Sequence, residues 1–195
     1  MIKVLGNITK GEFGLACSGG VDSMAILDFL VNGKYKPNVL YFNHNTKHGD
    51  EAEEFIKEYC KEKGLKLTIG RTNIKPTSNK EKQWSDARYE FFNKFDYPIM
   101  TCHHLDDCVE TYIFTCLRGF QSVIPYRKGN VIRPFLLNEK SIFESWCNRK
   151  NVPFINDESN MCVDFTRNRI RHNIVNEALI VSPGLKGIVR KMIKK

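Results

Sequence analysis

Ser18-Gly19-Gly20-Val21-Asp22-Ser23 lies between an apolar run, Phe13-Gly14-Leu15-Ala16-Cys17, and a stretch with helical spacing at Met24, Leu27 and Phe29-Leu30. A strand, a tight glycine turn and a helix N-terminus in that order gather several backbone N–H groups around one point, which suits a phosphate group. Gly19 and Gly20 let the backbone approach closely and take positive φ. Ser18 and Ser23 add hydroxyl donors, and Ser23 can also cap the helix. A plain strand-to-helix turn is the alternative, and the two flanking serines and Asp22 weigh against it. The spacing excludes a Walker A loop, because the lysine that would reach the outer phosphates is missing, and it is not G-x-G-x-x-G either.

Outward from this loop, apolar runs alternate with helical patterns. Strands are expected at 13–17, 39–42, 65–69 and 98–101, and helices at about 23–31, 50–63, 83–95 and 107–118. Such alternation predicts an α/β fold, a mostly parallel sheet with helices on both faces. Ligands of such sheets bind beyond the carboxyl ends of the strands. The polar stretch 72–82 reads as a mobile loop. Ser141-Ile142-Phe143-Glu144 has capping-box spacing and opens a helix reaching 148 or 150, stopped by Asn151-Val152-Pro153. A short basic helix is expected from about 166 to 177. The organisation predicted is one α/β domain over 1–137 with a small helical, basic C-terminal extension over 138–195 packed on it.

At 195 residues the chain suits a single α/β domain. No run approaches the ~20 apolar residues that span a bilayer. Met1-Ile2-Lys3-Val4-Leu5-Gly6 is too short and mixed for a signal peptide, so a cytoplasmic protein with no membrane partner is expected. The seven cysteines are odd in number and form no C-x-x-C pair, which points to buried free thiols in a reducing compartment. The net charge of +8 is unevenly placed, with eight Lys/Arg against two Asp/Glu between Met161 and Lys195. A basic end of this kind points to a polyanion, nucleic acid above all. For Lys191, Lys194 and Lys195 a merely solvated tail fits equally well.

Further constellations fall at strand ends. Asn43 and His44 close the second strand beside the glycine loop, where they serve a ligand or act as a capping Asn and a surface His. Arg88 shares a helical line with Trp84 and Phe92 and has the planar fork that suits phosphate, with a surface salt bridge as the alternative. His103-His104-Leu105-Asp106-Asp107-Cys108-Val109-Glu110-Thr111 follows a strand. Asp106 and Asp107 are candidate Mg²⁺ ligands, and His104 can move a proton or stabilise charge. Glu110 there favours the helix dipole. A zinc site is the rival reading, and the histidines lack its i, i+4 spacing. Asp157 and Asn160 are turn-forming residues. Arg167, Arg169 and Arg171 alternate, so they do not share one helical face, yet they can grip several phosphates from a helix start.

These pieces together resemble the tRNA(Ile)-lysidine synthetases of the PP-loop ATP pyrophosphatase group. The matching elements are S-G-G-V-D-S at 18–23, F-N-H at 42–44, A-R-Y-E-F-F at 87–92, H-H-L-D-D-C-V-E-T at 103–111, L-R-G at 117–119 and R-P-F-L at 133–136. D-E-S-N at 157–160 and R-N-R-I-R at 167–171 complete the set. The resemblance implies a Rossmann-like nucleotide-hydrolase fold, with the PP-loop ATPase domain over 1–137. It implies ATP and Mg²⁺ as cofactors, and free lysine and an isoleucine tRNA with a CAU anticodon as substrates. The wobble cytidine would be adenylated and then joined to lysine, giving lysidine, AMP and pyrophosphate.

Carried over by motif, Ser18, Gly19, Gly20, Asp22, Ser23, Asn43, His44 and Arg88 would bind the nucleotide. Asp22, Arg88, His104, Asp107 and Thr111 would be catalytic, Asp22 and Asp107 would hold the metal, and Arg133, Arg167, Arg169 and Arg171 would contact RNA. The chain departs from the resemblance at Asn45-Thr46-Lys47-His48, where a basic or polar element is usual, and at 120–125, where a glycine-rich stretch is usual. It also stops before the C-terminal domains that many such proteins carry. Discrimination against the methionine tRNA would then rest on the anticodon region, a homodimer or a partner. A tRNA-thiolating PP-loop enzyme and a non-catalytic RNA-binding derivative are the competing readings.

Overall fold

The protein, seen here in a computed structural model, is described over residues 1–8, 11–72, 80–156 and 166–194. Its elements run β1 (Gly14–Ala16), α1 (Val21–Asn32), β2 (Asn38–Asn43), α2 (Lys47–Lys63), β3 (Leu67–Arg71), α3 (Lys80–Phe92), β4 (Ile99–Met100) and α4 (Leu105–Cys116). A hairpin of β5 (Arg127–Lys128) and β6 (Val131–Ile132) follows, then α5 (Lys140–Lys150). The last described segment holds α6 (Thr166–Arg169), a π-helical turn (Ile170–Ile174), α7 (Val175–Val181) and α8 (Leu185–Ile193).

The strands form one sheet in the order β3-β2-β1-β4-β6-β5. All neighbours are parallel except β5, which pairs antiparallel with β6 at the edge. Leu15 of β1 stands opposite both Val39 of β2 and Met100 of β4. The chain winds from β1 toward β2 and β3, then crosses to β4 on the other side. That reversal opens a crevice at the carboxyl ends of β1 and β4, where open α/β sheets bind ligands.

Side chains alternate across a strand, and the core follows suit. Leu15, Val39, Met100 and Ile132 pack with Met24 and Leu27 of α1, Ile56 of α2 and Phe143 of α5. Their sequence neighbours Leu40, Ile99 and Val131 pack on the opposite face with Phe91 and Phe92 of α3. A further cluster joins Leu105, Cys108 and Val109 of α4 to Ile170, Val175, Leu185 and Val189. Across the expected boundary near 137, α5 shares the main cluster with α1, and the helices after 166 pack on α4 in the further cluster.

The four expected strands and their helices are present, with shifted ends. Thr46 starts α2 early by accepting the Gly49 N–H through its side chain. The capping box read at Ser141 does not form, since α5 begins at Lys140 with Glu139 as an N-cap that makes no side-chain cap bond. The hairpin β5–β6 was not expected, because two strands of two residues leave no alternating pattern to read. The polar stretch 72–82 is already helical from Lys80, and its residues 73–79 lie outside the described chain. Among the described residues no helix is long and apolar enough to cross a membrane.

Candidate active site

The glycine loop joins β1 to α1 at the crevice. Gly19 takes φ +83°, a left-handed value that glycine reaches without strain. A Cβ there would stand 3.2 Å from Ile155, whose N–H donates to the Gly19 carbonyl at 3.0 Å. Ser23 ties the loop from inside. Its hydroxyl donates to the Gly20 carbonyl at 2.9 Å and accepts the Ser18 N–H at 3.2 Å. Ser18 is exposed and its Oγ accepts the Gly20 N–H at 3.4 Å. Among the described residues no side chain caps the N-terminus of α1 at Gly20, which leaves its leading N–H groups toward the crevice.

The H-H-L-D-D segment supplies the opposite wall. His104 is 4% exposed and is the N-cap of α4. Its backbone N–H donates to Asp107 Oδ2 at 2.9 Å, and the Asp107 N–H returns to His104 Nδ1 at 3.4 Å. Three carboxylates surround the ring: Asp22 Oδ2 lies 3.6 Å from Nε2, Asp106 Oδ2 3.6 Å from Nδ1, and Asp107 Oδ2 3.5 Å from Nδ1. Burial opposes a charge on the ring, but Asp107, Asp22 and Asp106 together outweigh it and raise the His104 pKa above its ordinary value. Burial also opposes charge on Asp107, yet His104, His103, Arg167 and the His104 N–H prevail and hold that carboxyl at about 2.

The three carboxylates are not equivalent. Asp107 spends Oδ2 on the cap and faces Arg171 Nη2 at 3.4 Å with Oδ1. Asp106 accepts the Lys140 N–H at 2.8 Å and pairs with Lys186 Nζ at 2.9 Å. Asp22 Oδ1 is buried with no hydrogen-bond partner among the described residues. Both oxygens of Asp106 are engaged, as are both of Asp107, so the expectation that either aspartate offers a free oxygen to a metal is corrected, and Asp22 alone of the three keeps an oxygen without a partner among the described residues. Among the described residues no group of three His, Cys, Asp or Glu is set to hold a metal alone. The rival zinc reading finds no preformed cage there.

Arg88 on α3 is half-buried, and among the described residues no carboxylate pairs with it. Burial lowers its pKa. Burial depresses His44 to about 4 with Arg88 assisting, and burial depresses His103 to about 4 against the opposing Asp107, with Arg133, Arg167 and lastly Arg88 assisting. His44 stacks on Trp84 with centroids 4.8 Å apart, and its Nδ1 is buried with no hydrogen-bond partner among the described residues. His103 Nδ1 meets Thr101 Oγ1 at 2.8 Å. Thr111 is half-buried on α4, one helical turn beyond Asp107 and on the same face. Among the described residues the crevice thus combines a helix end with no side-chain cap, an arginine with no carboxylate partner, two imidazoles whose pKa burial lowers, and a buried Asp22 oxygen with no hydrogen-bond partner.

Two expected residues are placed elsewhere. Asn43 is fully buried, donating to Asp50 Oδ1 at 2.9 Å and Glu53 Oε2 at 2.8 Å, so it braces the β2–α2 connection rather than facing a ligand. Arg133 is 3% exposed and donates to the Pro125 carbonyl and the Tyr89 hydroxyl, both at 2.8 Å, which leaves no surface for RNA. Glu110, read as a dipole partner, is instead the buried acceptor of Arg171 Nε at 2.6 Å and Nη2 at 3.1 Å, with Arg167 Nε at 3.3 Å. Helical phase could have found this, since Arg167 and Arg171 are i, i+4 partners and share a face. Arg169 lies off that face and is exposed. Asp157 and Asn160 lie outside the described residues.

A family model described as the PP-loop domain matches residues 1–178. Among curated proteins, the tRNA(Ile)-lysidine synthase of Persephonella marina is 31% identical over 208 residues, covering 95% of this chain and 46% of that protein. That of Bacillus subtilis is 34% identical over 184 residues, covering 81% of this chain and 38% of that protein. The chain therefore spans under half the length of these relatives. Among solved structures, the NH3-dependent NAD synthetase of Campylobacter jejuni superposes with a TM-score of 0.53 at 14% identity, covering 96% of this chain and 86% of that one. The NMN synthetase of Francisella tularensis gives 0.51 at 13% identity, covering 73% and 62%. At these identities the structural likeness speaks for the fold alone.

Proposed function

This chain belongs to the PP-loop domain family, and from that premise we propose that it adenylates the wobble cytidine of a CAU-anticodon isoleucine tRNA and joins lysine to it. The C2 oxygen of the cytidine attacks the α-phosphorus of ATP, and pyrophosphate leaves. The ε-amino group of free lysine then displaces AMP and loses a proton, leaving lysidine. The relatives named tRNA(Ile)-lysidine synthase support this choice of substrate.

The observation that carries the reading is the N-terminus of α1, which among the described residues has no side-chain cap, with the Asp22 Oδ1 beside it that has no hydrogen-bond partner there. The N–H groups there, with the Ser18 hydroxyl, suit the departing pyrophosphate. Arg88 offsets the charge that develops on the phosphates. Asp22 Oδ1 fits Mg²⁺, which takes one or two carboxylates beside phosphate oxygens and water. Mg²⁺ in that place would screen the phosphates from each other. Asp107 orients His104 through the capping box, and His104, held among carboxylates, can keep a proton near the leaving group. Thr111 stands one turn further along the same face. Arg169, exposed, and Arg167, partly exposed, suit the phosphates of the anticodon arm, whose target base must leave its stack to react.

The test is incorporation of labelled lysine into an isoleucine tRNA transcript bearing CAU, with ATP and Mg²⁺ present and the methionine tRNA as control. Incorporation into the isoleucine transcript, with matching pyrophosphate release, is expected. Pyrophosphate release without lysine incorporation would move the assignment to another adenylating reaction. Absence of both overturns it.

A further inference from the structure

Helix α8 begins at Leu185, beyond the residues matched by the family model, which end at 178. Its apolar residues Leu185 and Val189 are buried against α4. Lys186 and Arg190 follow each by one position, so they form a second line along the helix. That line meets the H-H-L-D-D segment. Lys186 Nζ lies 2.9 Å from Asp106 Oδ1 and 2.8 Å from Glu139 Oε2, and Arg190 Nη2 lies 2.5 Å from Glu139 Oε1. Asp106 in turn stands 3.6 Å from His104 Nδ1, and His104 Nε2 stands 3.6 Å from Asp22 Oδ2 on the glycine-loop helix.

Taking the adenylation reading as its basis, we propose that Lys186 is a positioning residue that holds Asp106 out of the nucleotide site and leaves Asp22 as the carboxylate free for the ligand. The physical need is plain. Three aspartates crowd one imidazole at a place built for a polyanion. Arg171, shared with Glu110, faces Asp107, and Lys186, shared with Glu139, engages Asp106, so each surplus carboxylate meets a cation. Asp106 keeps its Lys140 N–H bond whatever happens to Lys186, but without the ammonium its second oxygen is uncompensated. An uncompensated negative charge there repels ATP and competes for any cation the ATP brings. Helix α8 thus tunes the site through charge, not only through packing.

The experiment measures ATP binding by calorimetry, with and without Mg²⁺, and tRNA-dependent pyrophosphate release, for the full chain. In Lys186→Met the dissociation constant and KM for ATP should rise on the order of tenfold, the scale of one unscreened charge several Å from a polyanion, with kcat changed much less. Lys186→Arg should restore binding, since it keeps the charge. Adding Asp106→Asn to Lys186→Met should also restore it, because the amide still accepts the Lys140 N–H and carries no charge. A purely structural tie predicts that Asp106→Asn leaves the loss in place or deepens it, and that outcome overturns the proposal, as does wild-type ATP affinity in Lys186→Met. Should wild type itself bind no ATP, the adenylation reading falls instead, so the two failures are distinct. Thermal melting of each variant separates misfolding from the charge effect, and if Lys186→Met does not fold, the comparison of Lys186→Arg with Lys186→Gln decides.

Discussion

Replacing Arg171 by methionine removes the main partner of a buried carboxylate and keeps the aliphatic stem that packs beside it. The Glu110 side chain is 4% exposed and accepts two bonds from Arg171, at 2.6 and 3.1 Å, against one longer contact from Arg167. Breaking a fully buried pair by removing one partner costs about 3–5 kcal/mol, because the remaining charge stays desolvated. Arg171 is 31% exposed and Arg167 can shift toward Glu110, so water and that second cation recover part of the loss. The expected cost is roughly 2 kcal/mol, read from urea unfolding followed by circular dichroism. The control is Glu110→Gln, whose neutral amide needs no cation. In that background the methionine substitution should cost well under half as much, and the difference between the two backgrounds is the coupling. A single-variant loss under about 0.5 kcal/mol, the range of ordinary surface changes, refutes the argument. So does an equal loss in both backgrounds.

Gly19→Ala forces a Cβ into the left-handed φ of the loop and against Ile155 at 3.2 Å, so about 1–2 kcal/mol of stability should go together with most ATP affinity. Wild-type ATP binding in that variant would show that the loop geometry is not needed. For Glu53, burial alone would raise the carboxyl, but hydrogen bonds from Asn43, Lys57 and Arg71 outweigh it and hold it below its usual range. A depressed folded pKa adds stability that is present above the ordinary value of about 4.3 and is lost as pH falls through the lower folded one. The wild type should therefore lose stability on acidification more steeply than Glu53→Gln; parallel acid limbs would contradict this. Arg169→Met should leave the melting temperature unchanged, weaken tRNA binding, and lower the salt slope by about one unit. An unaltered slope removes Arg169 from the RNA interface.

The parts of the fold that could be read from sequence were those with a repeating signal. Short apolar runs such as 39–42 and 98–101 made the strands recognisable, and their alternation with helical patterns told of helices on both faces, as Val39 and Met100 on one face and Leu40 and Ile99 on the other now show. The glycine loop was legible because a turn, a close approach and a helix start must coincide within six residues. What escaped was long-range pairing. Nothing local distinguishes Asp106, held by Lys186 eighty residues later, from Asp22, whose Oδ1 has no partner among the described residues. Arg133 reads like any exposed arginine until Tyr89 and the Pro125 carbonyl are seen closing over it. Asn43 was misplaced for the same reason, since Glu53 lies one strand-to-helix connection away.

These pairings also explain why the basic end of the chain divides its arginines. On a continuous helix, residues two apart point to different sides. Arg167 and Arg171 turn toward α4, where Glu110 sits one turn after the residues that organise the site, whereas Arg169 faces outward. Asp107 Oδ1 meets the same Arg171 fork that grips Glu110. Through that fork the C-terminal helices reach both Glu110 and Asp107 on α4, the helix that begins with the His104 cap.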